Sequence, residues 1–382
     1  MEATPVNDAL IDRIRRRLVL AGREPTVPDV ADAMRAEQQV AGSDTLLALV
    51  DRLRADMIGA GPLDALLREA GVTDVLVNGP DQVFVDRGNG LERVDVQLVD
   101  DASVRRLAQR LAASADRRLD DAAPWVDARL ADGTRLHAVL TPLARPGTAI
   151  SLRVPARRTF TLDQLHGNGM LSDSAADDLR AVIASRVSFV VTGGTGSGKT
   201  TLVAALLGLV DPAERIVVVE DSTELRPDHP HVVGLEARPA NVEGAGEVTV
   251  RDLVRQALRM RPDRLVVGEV RGAEVVDLLA ALNTGHAGGC STVHANSPGD
   301  VPARFEALGV AAGLPRDAVH SQLAAGLSVV VHIERDRTGR RIGQLSVLQR
   351  AGDLVEAVSA RVYGPKGVVD GPGAERLEDL IR

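Results

Sequence analysis

The sequence has little cysteine, lysine or aromatic content and no long hydrophobic run. Its 382 residues include one cysteine, Cys290, which excludes an intramolecular disulfide. Apolar stretches such as 187–191 and 202–210 are far shorter than the roughly 18 to 20 residues of a membrane span. Near the start, Glu2, Asn7 and Asp8 stand where a secretory signal needs basic and then apolar residues. We therefore expect a soluble protein of a reducing cytoplasm.

The charge balance and the few aromatic side chains argue against a nucleic-acid-binding protein. The formal net charge is -8, which weakens electrostatic tracking of phosphates. One Trp, one Tyr and four Phe leave few platforms on which bases could stack. The 45% hydrophobic content is enough to bury substantial cores, so the chain is not disordered, and its length favours two or more domains.

The first part of the chain predicts helices followed by a small α+β domain. Residues 1–58 are predicted to form a helical N-terminal extension, with amphipathic helices at 8–20 and 44–57. Residues 59–155 predict the α+β domain, with strands at 74–78, 82–86, 126–140 and 149–154 and a helix at 101–119. Residues 156–164 are predicted to be a linker.

Residues 165–350 predict a second domain of the α/β class. Buried strands alternate with helices there, which is typical of a parallel sheet with crossover helices. The strands are expected at 188–192, 216–219 and 265–267, and the helices at 201–210, 249–260, 273–282 and 316–327. Strands at 329–334 and 342–349 predict a hairpin, and residues 351–382 are predicted to be a C-terminal tail.

A glycine-rich loop between a predicted strand and a predicted helix carries the strongest functional signal. Residues 193–200, Gly-Gly-Thr-Gly-Ser-Gly-Lys-Thr, match the G-x-x-x-x-G-K-[ST] phosphate loop, whose backbone N–H groups converge on phosphate oxygens. Lys199 and Lys366 are the only lysines among 45 basic residues, and Lys199 falls where the motif reaches the β and γ phosphates. The alternative is a glycine-rich turn. We predict ATP binding by Gly194, Thr195, Gly196, Ser197, Gly198, Lys199, Thr200 and Thr201.

Acidic residues follow two of the predicted strands, at the sheet edge where ligands of such folds bind. Glu269 ends the run Arg-Leu-Val-Val-Gly-Glu, which suits a position beside Mg²⁺ and the attacking water, and the Thr200 hydroxyl would hold the same ion. Glu224 closes the cluster Glu-Asp-Ser-Thr-Glu at 220–224, and we expect it to activate that water. For both carboxylates, the alternative is a solvated strand or loop end.

Two histidines, His286 and His294, flank a turn that leads from a predicted helix into a strand near the same edge. A lone histidine is usually structural. One cysteine and no tight cluster of ligands predict no zinc site.

Four motifs, in this order, resemble those of the type II/IV secretion ATPase superfamily. They are the phosphate loop, the Glu-Asp-x-x-Glu box, Arg-Met-Arg-Pro-Asp-Arg before Val-Val-Gly-Glu-Val-Arg-Gly, and Asn-Thr-Gly-His followed by Ser-Thr-Val-His-Ala-Asn. Within the superfamily, the chain looks like the CpaF-type ATPases of tight-adherence (Flp) pilus assembly. The likeness continues upstream through Gly-Pro-Leu-Asp at 61–64, Thr-Asp-Val-Leu-Val-Asn-Gly-Pro at 73–80 and residues 126–135.

The resemblance implies a RecA-like P-loop ATPase domain preceded by the α+β domain, in a homohexameric ring. It gives Lys199 and Thr200 the Walker A roles, Glu224 the catalytic acidic-box role, Glu269 the Walker B role and His294 a sensor role. Mg²⁺-dependent ATP hydrolysis would then power assembly of a pilus or a related secretion system.

The resemblance also implies that the α+β domain contributes to the reaction. Arg135 and Arg153 match arginines that reach the γ-phosphate in relatives, and the alternative for both is a surface ion pair. The implied partners are inner-membrane platform proteins, which would hold the ring at the inner face of the cytoplasmic membrane.

Two other functional classes remain open from the sequence. A DNA-translocating RecA-like motor is disfavoured by the net charge and the scarce aromatics, so we expect no nucleic acid partner. A nucleotide-binding scaffold without hydrolysis is disfavoured by the two intact acids, Glu224 and Glu269.

Overall fold

The computed structural model describes residues 8–382 except 22, 24, 40–41, 58, 89, 156–158, 241–243, 337–338 and 365–366. The chain divides into two units, Met1–Ala156 and Arg157–Arg382. No helix among the described residues combines the length and the apolar content that crossing a membrane requires.

The first unit begins with a bundle of three helices, α1 (Asp8–Leu20), α2 (Val27–Ala36) and α3 (Ser43–Met57). The apolar spacing predicted α1 and α3 but not α2. The backbone N–H of Asp29 donates to the Thr26 hydroxyl at 3.3 Å, which caps α2. Ile14, Val30 and Leu53 bury one face of each helix in a small core.

An antiparallel sheet of six strands forms the rest of the first unit, in the order β3-β2-β1-β6-β5-β4. Two helices, α4 (Asp64–Arg68) and α5 (Asp101–Ser114), accompany it, and Leu107 and Leu111 of α5 share a core with Val75 and Leu152 of the sheet. The strands are β1 (Asp74–Val77), β2 (Val83–Asp86), β3 (Leu91–Val94), β4 (Trp125–Arg129), β5 (Arg135–Val139) and β6 (Ala149–Arg153).

The second unit is built on a sheet of nine strands with helices on both faces. The strand order is β15-β14-β13-β12-β7-β11-β10-β8-β9; the strands from β12 to β9 are parallel, and β13, β14 and β15 add antiparallel neighbours. The strands are β7 (Phe189–Gly193), β8 (Ile216–Glu220), β9 (Val232–Glu236), β10 (Arg264–Val267), β11 (Cys290–Val293), β12 (Val329–Asp336), β13 (Gly339–Ala351), β14 (Leu354–Gly364) and β15 (Gly367–Asp370). The helices are α6 (Leu162–Gly167), α7 (Asp173–Ala184), α8 (Lys199–Leu207), α9 (Val250–Ala257), α10 (Glu274–Leu282), α11 (Val301–Ala311), α12 (Arg316–Gly326) and α13 (Ala374–Ile381).

The central strands are apolar on both faces because helices cover both sides of the sheet. Side chains alternate along β7, so Val191 packs in one core with Leu202 of α8, and Val190 packs in the other with Leu278 of α10. This alternation explains the continuous hydrophobic runs that predicted an α/β domain.

The segment beyond residue 350, which we assigned to a tail, contains β14, β15 and α13. Its Tyr363 and Leu377 belong to the core that contains Val191 and Leu202. The Tyr363 hydroxyl donates to Asp178 of α7 at 2.5 Å, and Arg361 pairs with the same carboxylate. In the predicted linker, residues 156–158 lie outside the described residues, and 162–164 belong to α6.

Candidate functional site

Four neighbouring parallel strands end at the same edge of the second unit's sheet, and each leads into a predicted site residue. Strand β7 leads into the phosphate loop, and its neighbour β11 leads into His294. Next in order, β10 leads towards Glu269 and β8 towards Glu224. The fold therefore collects at one edge the four motifs that lie far apart in the sequence.

The phosphate loop has the backbone geometry that its glycines predict. Gly193, Gly196 and Gly198 have positive φ angles of 149°, 68° and 96°. Gly198 lies immediately before α8, so the unpaired N–H groups of the first helical turn begin at the loop. The buried Ser197 hydroxyl has no hydrogen-bond partner among the described residues. Unpaired donors around a glycine-lined bend suit phosphate oxygens. Residues 194–198 form the bend, and Lys199, Thr200 and Thr201 open α8.

Lys199 is buried and turned back onto its own loop. Its ammonium donates to the carbonyl oxygens of Gly193 at 2.9 Å and Gly194 at 3.0 Å. Burial lowers the pKa of Lys199, and the nearby charges of Glu269 and Glu224 oppose that shift. A phosphate at the loop would offer this cation stronger acceptors than two neutral carbonyls.

Glu269 lies between a histidine and an arginine. Its Oε2 accepts from Arg271 Nη2 at 2.6 Å. Its Oε1 lies 3.1 Å from His294 Nε2, yet this buried oxygen accepts no hydrogen bond within the described part of the chain. Burial, followed by the charge of Lys199, lowers the pKa of His294, which favours the neutral imidazole.

Arg271 was not among the predicted site residues. It also donates to Asp221 at 3.2 Å, and so links Glu269 to the acidic box. The signal in the sequence was its position two residues after Glu269.

The residues present fit a magnesium ion with bound nucleotide. Thr200 is the second residue of α8 and is half-buried, and Glu269 offers a buried oxygen without a hydrogen bond. Hydroxyl and carboxylate oxygens are the ligands that Mg²⁺ takes alongside phosphates.

Glu220, the first residue of the acidic box, is buried and anchors the loop that carries Glu224. One carboxylate oxygen, Oε1, accepts from the backbone N–H of Glu224 and of Leu225, each at 3.0 Å. A Cβ on Gly268 would lie 2.6 Å from Glu220 Cγ, so the glycine makes room for the side chain. Burial raises the pKa of Glu220 to about 7.

The anchored loop leaves the Glu224 side chain exposed. The charge of Glu224 acts to raise the pKa of both Lys199 and Arg271. The sequence placed Glu220 in the cluster without assigning it a role. Its anchoring depends on Gly268, which reaches it only through the pairing of β8 with β10.

Arg135 and Arg153 lie in the first unit, directly opposite each other on β5 and β6. Arg153 is exposed and donates from Nε to Asp74 at 3.1 Å. The two arginines are therefore neighbours on adjacent strands, a relationship that their separate sequence motifs did not indicate. His286 is a different case, because its Nδ1 lies 3.1 Å from the carbonyl oxygen of Ala281 at the end of α10, a structural contact.

Known proteins resemble this chain over most of its length. A family model described as "Type II/IV secretion system protein" matches residues 56–367. A putative conjugal transfer protein of Mycobacterium tuberculosis (strain H37Rv) is 56% identical over 348 residues, which cover 89% of this chain and 98% of that protein. The type IV secretion system protein PtlH of Bordetella pertussis is 33% identical over 296 residues, covering 70% of this chain and 87% of PtlH.

One solved structure supports the fold. The pilus retraction motor PilT with bound ADP superposes with a TM-score of 0.52 at 21% identity, covering 74% of this chain and 80% of PilT. This likeness confirms the RecA-like ATPase fold that the motifs predicted.

Proposed function

Because this chain belongs to the type II/IV secretion system protein family of secretion ATPases, we propose that it hydrolyses ATP with Mg²⁺ to power a secretion machine. The machine we favour assembles a tight-adherence (Flp-type) pilus, or is a related secretion system. The observation that carries the proposal is the convergence of Lys199, Glu269, His294 and the Glu224 loop at one sheet edge.

Each residue of this edge has a chemical task in the proposed reaction. The loop N–H groups bind the phosphates, and Lys199 exchanges its two carbonyl acceptors for phosphate oxygens. Glu224 takes the proton of the attacking water, which its exposed carboxylate can reach from solvent. Mg²⁺, held by Thr200 and Glu269, would neutralise charge on the phosphates. The neutral His294 ring, between Lys199 and Glu269, responds to a change at either residue.

The proposed assembly is a homohexamer, in which Arg135 and Arg153 reach the γ-phosphate from the first unit. Inner-membrane platform proteins would bind the ring at the cytoplasmic face and receive its motion. Family membership and the resemblance of the motifs to CpaF-type ATPases support this assembly.

A test of the enzyme uses purified protein. Phosphate release with Mg²⁺ and ATP should be steady in the wild type and absent in Lys199→Ala. Mass measurement with and without a non-hydrolysable ATP analogue should detect six copies. Wild-type protein that binds ATP without releasing phosphate would establish a scaffold instead of a motor.

The name of the mycobacterial relative favours a second candidate, a motor for conjugal transfer of DNA. The net charge of -8 argues that any DNA would be handled by other subunits. ATPase stimulation by single- or double-stranded DNA would support direct translocation. In the host, the gene is deleted and then complemented with the wild type or with Lys199→Ala, and surface pili and transfer frequency are both measured. Pili that depend on the wild-type gene support the pilus machine, and a transfer frequency that depends on it supports the conjugal machine.

A further inference from the structure

Two arginines of the β12–β13 hairpin lie against the phosphate loop of the same chain. Strand β12 runs beside β7 as far as Gly193, the first residue of the loop, and then continues past it. A Cβ on Gly196 would lie 3.1 Å from Arg335 Nη1, and one on Gly198 would lie 3.7 Å from Arg340 Cδ. The hairpin therefore approaches the middle of the loop and the start of α8.

The pairing of the hairpin places two like charges opposite each other. Arg335 and Arg340 are register partners, and so are the neighbouring Glu334 and Arg341. Because side chains alternate, the second pair occupies the other face, where Arg341 donates to Glu334 at 2.7 Å. Like charges directly opposite destabilise a strand pair. Among the residues whose side chains the structure describes, neither Arg335 nor Arg340 forms an ion pair with a carboxylate.

We propose that Arg335 and Arg340, the hairpin arginines, bind the polyphosphate of the nucleotide from the same subunit. Guanidinium groups form charge-assisted, forked hydrogen bonds to phosphate, and a bound anion would remove the repulsion between the two cations. Glycine at positions 196 and 198 leaves the space through which the arginines approach. The proposal rests on nucleotide binding in the proposed function, and it adds a contact that no motif in the sequence assigns.

The hairpin arginines differ from Arg135 and Arg153 in what they should recognise. They approach the loop itself, which would bind the phosphates that ATP and ADP share. Their loss should therefore weaken both nucleotides, whereas loss of a γ-phosphate contact should weaken ATP alone.

The test measures Kd for ADP and for a non-hydrolysable ATP analogue with Mg²⁺ in Arg335→Ala, Arg340→Ala and the double variant. Each single change should weaken both nucleotides by about tenfold, the scale of a lost hydrogen bond to a charged group. Arg335→Lys should recover part of the loss, because charge returns without the fork. Arg350→Ala is the matched control: it lies on the same strand β13 and donates to Ser321 at 2.9 Å, and its affinities should equal the wild type.

Wild-type affinity in the double variant, with hydrolysis intact, overturns the role of the hairpin arginines and leaves the proposed function standing. Unchanged affinity with a lower midpoint of thermal unfolding also overturns it, and assigns the arginines to hairpin stability. If the wild type and Arg350→Ala both fail to bind nucleotide, the proposed function and this inference fall together.

Discussion

Nε2 of His294 lies 3.1 Å from Oε1 of Glu269, while the other ring nitrogen faces the ammonium of Lys199 at 3.4 Å. One imidazole therefore contacts both the lysine of the phosphate loop and the carboxylate after β10. The strand order places it there, because β11 lies between β7 and β10. A nucleotide that drew Lys199 towards phosphate would change the surroundings of the ring, and through it those of Glu269.

Glu269→Gln should preserve nucleotide binding and abolish turnover. The amide keeps the shape of the side chain but removes the charge that organises Mg²⁺ and water, and a loss of at least about 100-fold in steady-state phosphate release is expected. Lys199→Ala should instead lose nucleotide retention, measured by equilibrium titration. Turnover in Glu269→Gln near the wild-type rate would remove this residue from the catalytic centre.

Glu220→Gln should change how the stability of the second unit depends on pH. Burial raises the pKa of Glu220 from 4.5 to about 7, so the folded state binds this proton more tightly than the unfolded state. Stabilisation from the proton is complete below pH 4.5 and is lost as the pH rises to about 7. Glutamine keeps an acceptor for the N–H groups of Glu224 and Leu225 but cannot ionise.

As the pH rises between these values, the free energy of unfolding of Glu220→Gln should therefore increase relative to that of the wild type, by at most about 3 kcal/mol. Glu356→Gln, an exposed substitution on β14, is the matched control in the same denaturant titrations. A difference that stays constant from acid to neutral pH would contradict a buried, titrating Glu220.

The sequence predicted the parts of the site that are local. The strand β7, the glycine loop and Lys199 follow one another directly, so their geometry depends on neighbours in the chain. The gathering of Glu269 and His294 at one edge also followed, because parallel strands share their carboxyl ends.

Contacts that depend on strand order or on pairing across the sheet were not predictable from one motif at a time. The fit of Glu220 against Gly268 arises where β8 meets β10, and the approach of Arg335 to the phosphate loop arises because β12 pairs with β7. Helix α2 was missed although its start carries two helix signals, the N-cap Thr26 and a proline in the first turn.

Lysine at position 135 or 153 should reduce ATP turnover by at least about tenfold while ADP affinity stays unchanged. A lysine supplies charge without the forked donors that a γ-phosphate accepts. Arg153 uses Nε for Asp74, which leaves the forked end of the guanidinium for another acceptor. Arg93→Lys, on β3 of the same sheet, is the control that should behave as wild type. Equal losses of ADP and ATP affinity would indicate misfolding and remove the assignment.

Trp125, the single tryptophan, should report nucleotide-dependent movement of the first unit. It begins β4 at the edge of the six-stranded sheet, and 60% of its surface is exposed within this chain, so its indole starts in a wet environment. If nucleotide draws this unit towards the site, the indole becomes packed and its emission shifts to shorter wavelength. Titration with Mg²⁺ and a non-hydrolysable ATP analogue should give a saturable shift, and Lys199→Ala should suppress it.

An unchanged spectrum when binding is independently saturated would show that Trp125 does not sense the nucleotide. A shift that survives in Lys199→Ala, with nucleotide binding shown to be lost, would reject coupling through the phosphate loop.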